Sequence, residues 1–327
     1  MRELTIRREC WPVRGVFAIS RGSRTEIEVV VAEIVEGACR GRAECHPYAR
    51  YGETVEGVVA TLEGMAGRVA AAPEPEALPE MLRPGAARNA LDCALWDFRA
   101  KREGVPVWRL AGLESEPGPA QSAFTIGVDS PESMAAKARE SADMPLLKLK
   151  LGGEGDPERV RAVRDAAPEA RIMVDANEAW TADQYRIFAP ELARLRVAII
   201  EQPLPAGKDA VLRDLPRPVP LMADESCHDR SSLPALAGLY DYINIKLDKA
   251  GGLTEALKLA AAARESGFQV MAGSMLGTSL GMAPATLLGG MAAFVDLDGP
   301  LLLAEDRKPP LRFEGATVYP PDPALWG

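Results

Sequence analysis

The chain has 327 residues, 47% apolar and 26% charged, enough to bury a large core as one large domain or two smaller ones. Its 38 basic and 47 acidic residues leave a net charge of -9, which offers no electrostatic footprint for nucleic acid or an anionic membrane, so neither is expected as a partner. Five widely spaced cysteines without a C-x-x-C pair fit a reducing compartment, and MRELTIRREC lacks the apolar core of a signal peptide. With no apolar run of about 18 residues to span a bilayer, the expected location is the cytoplasm.

The first hundred or so residues predict an α+β region. The β-branched run TEIEVVVAEI, Thr25 to Ile34, follows a turn-like SRGS and reads as a strand, and a further strand is expected before CHPYARYGE. ETVEGVVATLEGMAGRVAA is an amphipathic helical pattern. After PEPEALPE, the segment AARNALDCALWDFRAKREG is dense enough for a core helix, with Gly104 as its stop. From about Ala120 the texture changes to short apolar strands alternating with helical patterns. The strands are AFTIGV, LLKLKLG, RIMVDANE, VAIIEQP, PLMADES, YINIKLD, FQVMAGS and AAFVDLDGP, a β/α repeat.

Within that repeat one ionisable group recurs near each strand end. Lys148 to Asp175 is 27 residues, then 26 to Glu201, 23 to Asp224 and 22 to Lys246, about one βα unit of a barrel of roughly 250 residues. Side chains alternate along a strand, so Lys148 and Lys150 share one face while Leu147, Leu149 and Leu151 take the other. The same parity sets Asp175 with Met173 and Asn177, Glu201 with Ile199, Asp224 with Met222, and Lys246 with Asn244. Strands covered by helices outside and closed on themselves inside would aim these charges into the C-terminal mouth of a barrel.

Asp175, Glu201 and Asp224 make an all-oxygen donor set suited to a hard divalent cation, Mg²⁺ by expectation, with Asn177 beside it as a supporting residue. Lysines on the second and sixth strands flank that set. They suit proton transfer at a carbon next to a carboxylate, where the cation offsets the charge of the dianionic enediolate. A lysine serves as base only with a depressed pKa, and a like charge two residues away pushes in that direction. Lys150 is therefore read as base and Lys148 as its electrostatic partner, the exchanged assignment remaining open.

The series KLK, DAN, EQP, ADES and NIKLDKAGG, in this order and spacing, resembles the enolase superfamily, in its muconate-lactonising-enzyme-like subgroup with lysines on both sides of the site. The resemblance covers nearly the whole chain. It implies a modified TIM barrel, (β/α)7β, over 119–305, with an α+β capping domain over 1–118 and a tail, 306–327, that returns to the cap. The helix ARNALDCALWDF is similar to the one at the family's cap–barrel junction. His46 and His228 are the only histidines, and neither lies where a strand-borne base should be, so both are expected to be structural or superficial.

The subgroup includes cycloisomerases, o-succinylbenzoate synthases, N-acylamino acid racemases and dipeptide epimerases, so the reaction must be read from residues that meet the rest of the substrate. In FVDLDGP, Asp296 and Asp298 share the inward face of the last strand, where two aspartates need a cation. Dipeptide epimerases are similar here, and the resemblance implies that the pair binds a dipeptide's α-ammonium. In ISRGSRTE, Arg24, with Arg21 as the alternative, matches the position that recognises a glutamate side chain in Ala-Glu epimerases. GSMLGTSLG follows the seventh strand and is a candidate lining loop, whereas Tyr48, Tyr51 and Trp108 read as core or interface. The implied activity is two-lysine epimerisation of L-Ala-D/L-Glu in cell-wall peptide recycling, on a dipeptide partner, with a homo-oligomer compatible. Another activity of the subgroup, or a barrel that binds without catalysis, are the alternatives.

Overall fold

The computed structural model describes all 327 residues. A three-stranded antiparallel sheet opens the chain, formed by β1 (Glu3–Ile19), β2 (Gly22–Glu36) and β3 (Cys39–Cys45) in that order. The turn in SRGS is a tight hairpin between β1 and β2. β1 was not among the expected strands: it is an edge strand, largely exposed, and its alternation is interrupted by Pro12 and a register shift between Pro12 and Phe17. The expected long helix after it is two, Val55–Glu63 and Ala66–Ala70, interrupted at Gly64 and Met65. The core helix runs Ala86–Glu103 and stops where Gly104 adopts φ +65°, a conformation that costs glycine little.

A short β4 (Ala120–Gln121) leads into eight parallel strands. These are β5 (Phe124–Ile126), β6 (Leu146–Lys150), β7 (Arg171–Asp175), β8 (Val197–Glu201), β9 (Leu221–Ala223), β10 (Tyr242–Lys246), β11 (Gln269–Gly273) and β12 (Phe294–Asp296), hydrogen-bonded in sequence order. The ring is drawn shut between its ends by a parallel bridge from Ser122 to Val295 and by the Ala123 N–H donating to the Val295 carbonyl at 2.7 Å. Seven βα units and a final strand make the expected barrel.

Strand parity sorts the barrel's side chains. Leu147, Leu149, Val174, Ile200, Ala223 and Ile245 point outward into the main core shared with the helices. Inside, Ala123, Leu146, Met173, Ile199, Met222, Met271 and Phe294 form a separate apolar layer that plugs the base. One step further along the same faces come Lys148, Asp175, Glu201 and Asp224, all buried. The lower layer excludes water beneath the upper one, so every charge above it is partnered or faces the mouth.

The tail visits three places. Ala304 N–H donates to Pro12 O at 2.8 Å and Arg307 pairs with Glu44 and Glu9 at 2.6 and 2.7 Å, fastening it to the first sheet. β13 (Phe313–Glu314) then pairs with β14 (Thr317–Val318), which pairs with β4 at the barrel base. Finally buried Trp326 donates from Nε1 to Cys93 O, on the core helix, at 3.0 Å. No helix is long and apolar enough to cross a membrane.

Candidate active site

The barrel mouth and the first sheet enclose one cavity. Lys150, Asn177, Asp224, Lys246, Asp296 and Asp298 line it from the barrel, and Arg21, Arg24, His46, Tyr48 and Tyr51 line it from the cap. Asp175, Glu201 and Asp224 each offer an oxygen within 4.8 Å of the others, all three residues being buried. Two of these carboxylates have a buried oxygen that accepts no hydrogen bond, Glu201 Oε2 and Asp224 Oδ1. Lys148 Nζ and Lys249 Nζ come within 2.7 Å of these atoms, but off the hydrogen-bonding direction. Three buried carboxylates converging from successive strand ends, two of them with an oxygen that accepts no hydrogen bond, fit a divalent cation with oxygen preference.

The lysines divide by depth. Lys148 is fully buried, with Nζ 2.7 Å from both Asp296 Oδ2 and Glu201 Oε2 and 3.5 Å from Asp175 Oδ2. Lys150 reaches the cavity and donates to Asp175 Oδ2 at 2.6 Å. Across the mouth Lys246 donates to Asp224 Oδ2 at 2.7 Å. A lone ammonium at the depth of Lys148 would cost several kcal/mol, and three carboxylates repay it.

Burial alone would lower the pKa of Lys148, but Asp296, Glu201 and Asp175 outweigh it and hold the ammonium well above the lysine range. Lys246 is likewise raised, Asp224 overcoming burial. At both, carboxylates crowd the ammonium more closely than other ammoniums do. A divalent cation held by the same carboxylates would offset that attraction. Burial and Asp175 push Glu201 up to about 7, whereas at Asp175 burial is overcome by Lys150 and Lys148, which bring it down to about 2.

Other predicted residues differ in setting. Asp296 ends β12, but Asp298 lies beyond the strand, just before the short Gly299–Leu302 helix, and its carboxylate accepts the Thr125 N–H at 2.6 Å. The pair thus already has partners, Lys148 for Asp296 and a backbone amide for Asp298, rather than standing free for a cation. Asp296 Oδ1 remains without a donor, and burial beside Asp296 pushes Asp298 up to about 7. Asn177, at φ +43°, donates its N–H to Asp175 Oδ1 at 2.9 Å and its carbonyl accepts from Arg21.

Of the two candidate arginines, Arg21 is engaged, 2.8 Å from Glu225 and bonded to the Asn177 carbonyl at 2.9 Å. Arg24 has no carboxylate within ion-pair reach; its Nη1 lies 3.0 Å from His46 Nε2 and its guanidinium stacks over Tyr48. His46, expected to be structural or superficial, is buried in the cavity wall, and Tyr48 and Tyr51, read as core or interface, face the cavity where the turn Ala49–Tyr51 overhangs the mouth. Trp108 packs against the core as read. Ser274, Met275 and Leu276 of GSMLGTSLG line the cavity. His228 sits edge-on to Tyr51, with Nε2 3.1 Å from Glu225 O.

Several residues escaped the sequence reading. Glu225 is buried beside Asp224 with Oε2 unpartnered, both facing inward because β9 ends at Ala223 and parity lapses beyond it. Lys249, in the helical turn after β10, comes back beneath Asp224 and bonds the Asn244 carbonyl at 2.9 Å. Asn244 donates to Glu201 Oε1 at 2.7 Å. It needs glycine at 273, since a Cβ there would lie 2.1 Å from Asn244 Oδ1. The inward parity of Asn244 was the available signal for it.

Comparison with known proteins agrees with this architecture. Residues 1–112 match the mandelate racemase / muconate lactonizing enzyme N-terminal domain and residues 133–324 the enolase C-terminal domain-like family. The L-Ala-D/L-Glu epimerase of Escherichia coli (strain K12) is 45% identical over 98% of this chain and 100% of its own. An N-acetyl-D-glutamate racemase from a Pseudoalteromonas species is 41% identical over 91% of this chain and 95% of its own. Among solved structures, an enolase family member from Agrobacterium tumefaciens with homology to dipeptide epimerases, holding sodium and L-Ala-L-Glu, superposes with a TM-score of 0.98. It is 52% identical, over 100% of both chains. A capping sheet, a barrel of seven βα units with a last strand, and a full-length match on both halves place this chain in the enolase superfamily.

Proposed function

We propose that the protein is a Mg²⁺-dependent dipeptide epimerase acting on L-Ala-D/L-Glu. The observation that carries this reading is a single cavity in which Lys150 and Lys246 flank a carboxylate triad while an arginine without an acidic partner overhangs the mouth. Asp175, Glu201 and Asp224 would hold the cation. Bound, it would supply positive charge against the substrate carboxylate whose neighbouring carbon is deprotonated.

That carbon belongs to the C-terminal residue of a dipeptide, because only there does a free carboxylate adjoin it. Lys150 and Lys246 stand on opposite sides of the mouth, so one removes the proton and the other returns one to the opposite face. Lys148, below them and out of the cavity, acts through charge on Asp296 and Glu201 rather than as the base. Asp296 and Asp298 take the α-ammonium, Arg24 the glutamate carboxylate, and Asn177 steadies Asp175. Recycling of cell-wall peptides in the cytoplasm is the setting this substrate suggests. The capping domain would run over 1–118 and the barrel over 119–305, with 306–327 returning to the cap.

A second reading, racemisation of an N-acylated glutamate, is favoured by the Pseudoalteromonas relative and by the partners that Asp296 and Asp298 already have. Both readings share an N-acylated glutamate and differ in the acyl group, which carries an ammonium only in the dipeptide. The deciding experiment compares kcat/KM for L-Ala-L-Glu, N-acetyl-L-Ala-L-Glu and N-acetyl-L-glutamate. The dipeptide reading expects the acetylated dipeptide to fall by about tenfold or more, since a charge-assisted contact is lost. Faster turnover of N-acetylglutamate than of the dipeptide would overturn it.

A further inference from the structure

The Arg24 guanidinium, on the exposed start of β2, could sweep a wide arc, yet it is held in place. Its Nη1 meets His46 Nε2 at 3.0 Å, and the other ring nitrogen, His46 Nδ1, lies 2.7 Å from the Leu276 carbonyl. A carbonyl only accepts and a guanidinium only donates, so these two contacts fix the tautomer: Nδ1 carries the hydrogen and Nε2 offers its lone pair. His46 is 5% exposed, and burial and the adjacent Arg24 lower its pKa to about 4, keeping that lone pair free at neutral pH. Its backbone N–H donates to Asp248 Oδ1 at 3.2 Å, and that atom also accepts from Asn89 on the core helix at 2.8 Å. The ring is therefore anchored from cap, barrel loop and junction helix together.

We propose that His46 is the positioning residue for glutamate recognition: by accepting from Arg24 Nη1 it aims the guanidinium into the cavity and couples it to the Ser274–Leu276 loop. Engaging Nη1 leaves Nε and Nη2 open, the edge that presents a side-on fork to a carboxylate. Tyr48, under the guanidinium at 5.6 Å, limits motion out of that plane. The inference rests on Arg24 binding the substrate side chain, as read above. It adds that the choice of glutamate depends on a neutral imidazole that itself need not touch substrate.

Two substitutions separate the ring's two contacts. His46→Asn keeps a donor for the Leu276 carbonyl and removes the acceptor for Arg24, whereas His46→Gln reaches toward Arg24 with an acceptor and gives up the Leu276 tie. The measurement is kcat and KM for L-Ala-L-Glu and L-Ala-L-Ala in both variants, in Arg24→Ala and in the Arg24→Ala/His46→Asn double variant. The expected result is a KM for Ala-Glu raised about tenfold in His46→Asn, with kcat retained and a much smaller effect on Ala-Ala. His46→Gln should recover most of the preference for glutamate. The double variant should be no worse than Arg24→Ala, since the two residues act through one contact. If Arg24→Ala loses the preference while His46→Asn keeps it, the role given to His46 is wrong. If Arg24→Ala itself keeps the preference, the carboxylate reading of Arg24 falls and takes this inference with it. Equal losses on both dipeptides in both His46 variants would mean a structural role only, and would likewise overturn it.

Discussion

The barrel and the cap contribute to one cavity by different means. Barrel side chains are set by strands whose neighbours on both sides fix register, and each lysine or carboxylate is braced by others, as Lys148 is by Asp175, Glu201 and Asp296. Cap side chains come from the tip of a two-stranded hairpin and an overhanging turn, and they hold position through a few contacts, such as Arg24 with His46 or Arg50 with Glu178 at 2.6 Å. The braced region suits chemistry that must be the same for every substrate. The lightly held region suits a choice among substrates, because one residue can change there without disturbing the rest.

Metal removal should give the largest effect on the barrel side. Chelation with EDTA is expected to abolish turnover of every dipeptide and Mg²⁺ to restore it, as measured by polarimetry; full activity in metal-free protein would break the account of the triad. Lys150→Ala and Lys246→Ala should each lower kcat by about a thousandfold on Ala-Glu and Ala-Ala alike, in line with loss of a general acid or base. A loss confined to one dipeptide would blur the division between barrel and cap. Arg24→Ala sharpens it from the other side, with kcat/KM falling about 10- to 100-fold for Ala-Glu and far less for Ala-Ala.

The smallest effect concerns stability. His46 titrates near 4 when folded against an ordinary 6.5, so between those values the unfolded chain binds a proton that the folded chain refuses. Stability from this group is complete above pH 6.5 and declines as pH falls toward 4, by roughly 3 kcal/mol in all. Urea titrations at pH 7 and pH 4 should show wild type losing more unfolding free energy than His46→Gln, which has no such group. Parallel losses would show that His46 is not buried neutral.

The sequence was legible where strand hydrogen bonding dictates direction. Asp175, Glu201, Lys148, Lys150 and Lys246 lie within strands, and their parity alone assigned them to the barrel interior, as it did Met173, Ile199 and Met222 of the apolar layer beneath. Beyond the strand ends that rule expires. Glu225, Asp298 and Lys249 sit two or three residues past a strand, where turns and short helices aim them, and only Asp298 was noticed, on the wrong element. In the cap, β1 was hidden by Pro12 and by exposure, and Tyr48, Tyr51 and His46 gain their roles only when the cap docks on the barrel. No local pattern encodes that docking.

The central claim is that the chemistry occurs at the carbon beside the dipeptide's free carboxylate, performed by barrel lysines while the cap holds the side chain. Its most direct test is proton NMR of L-Ala-L-Glu with the enzyme and Mg²⁺ in D₂O. The account predicts deuterium entering only at the glutamate α-carbon, together with the appearance of L-Ala-D-Glu, and no L-Ala-D-Glu in Lys246→Ala. Exchange at the alanine α-carbon, or epimerisation that persists in Lys246→Ala at the wild-type rate, would contradict it.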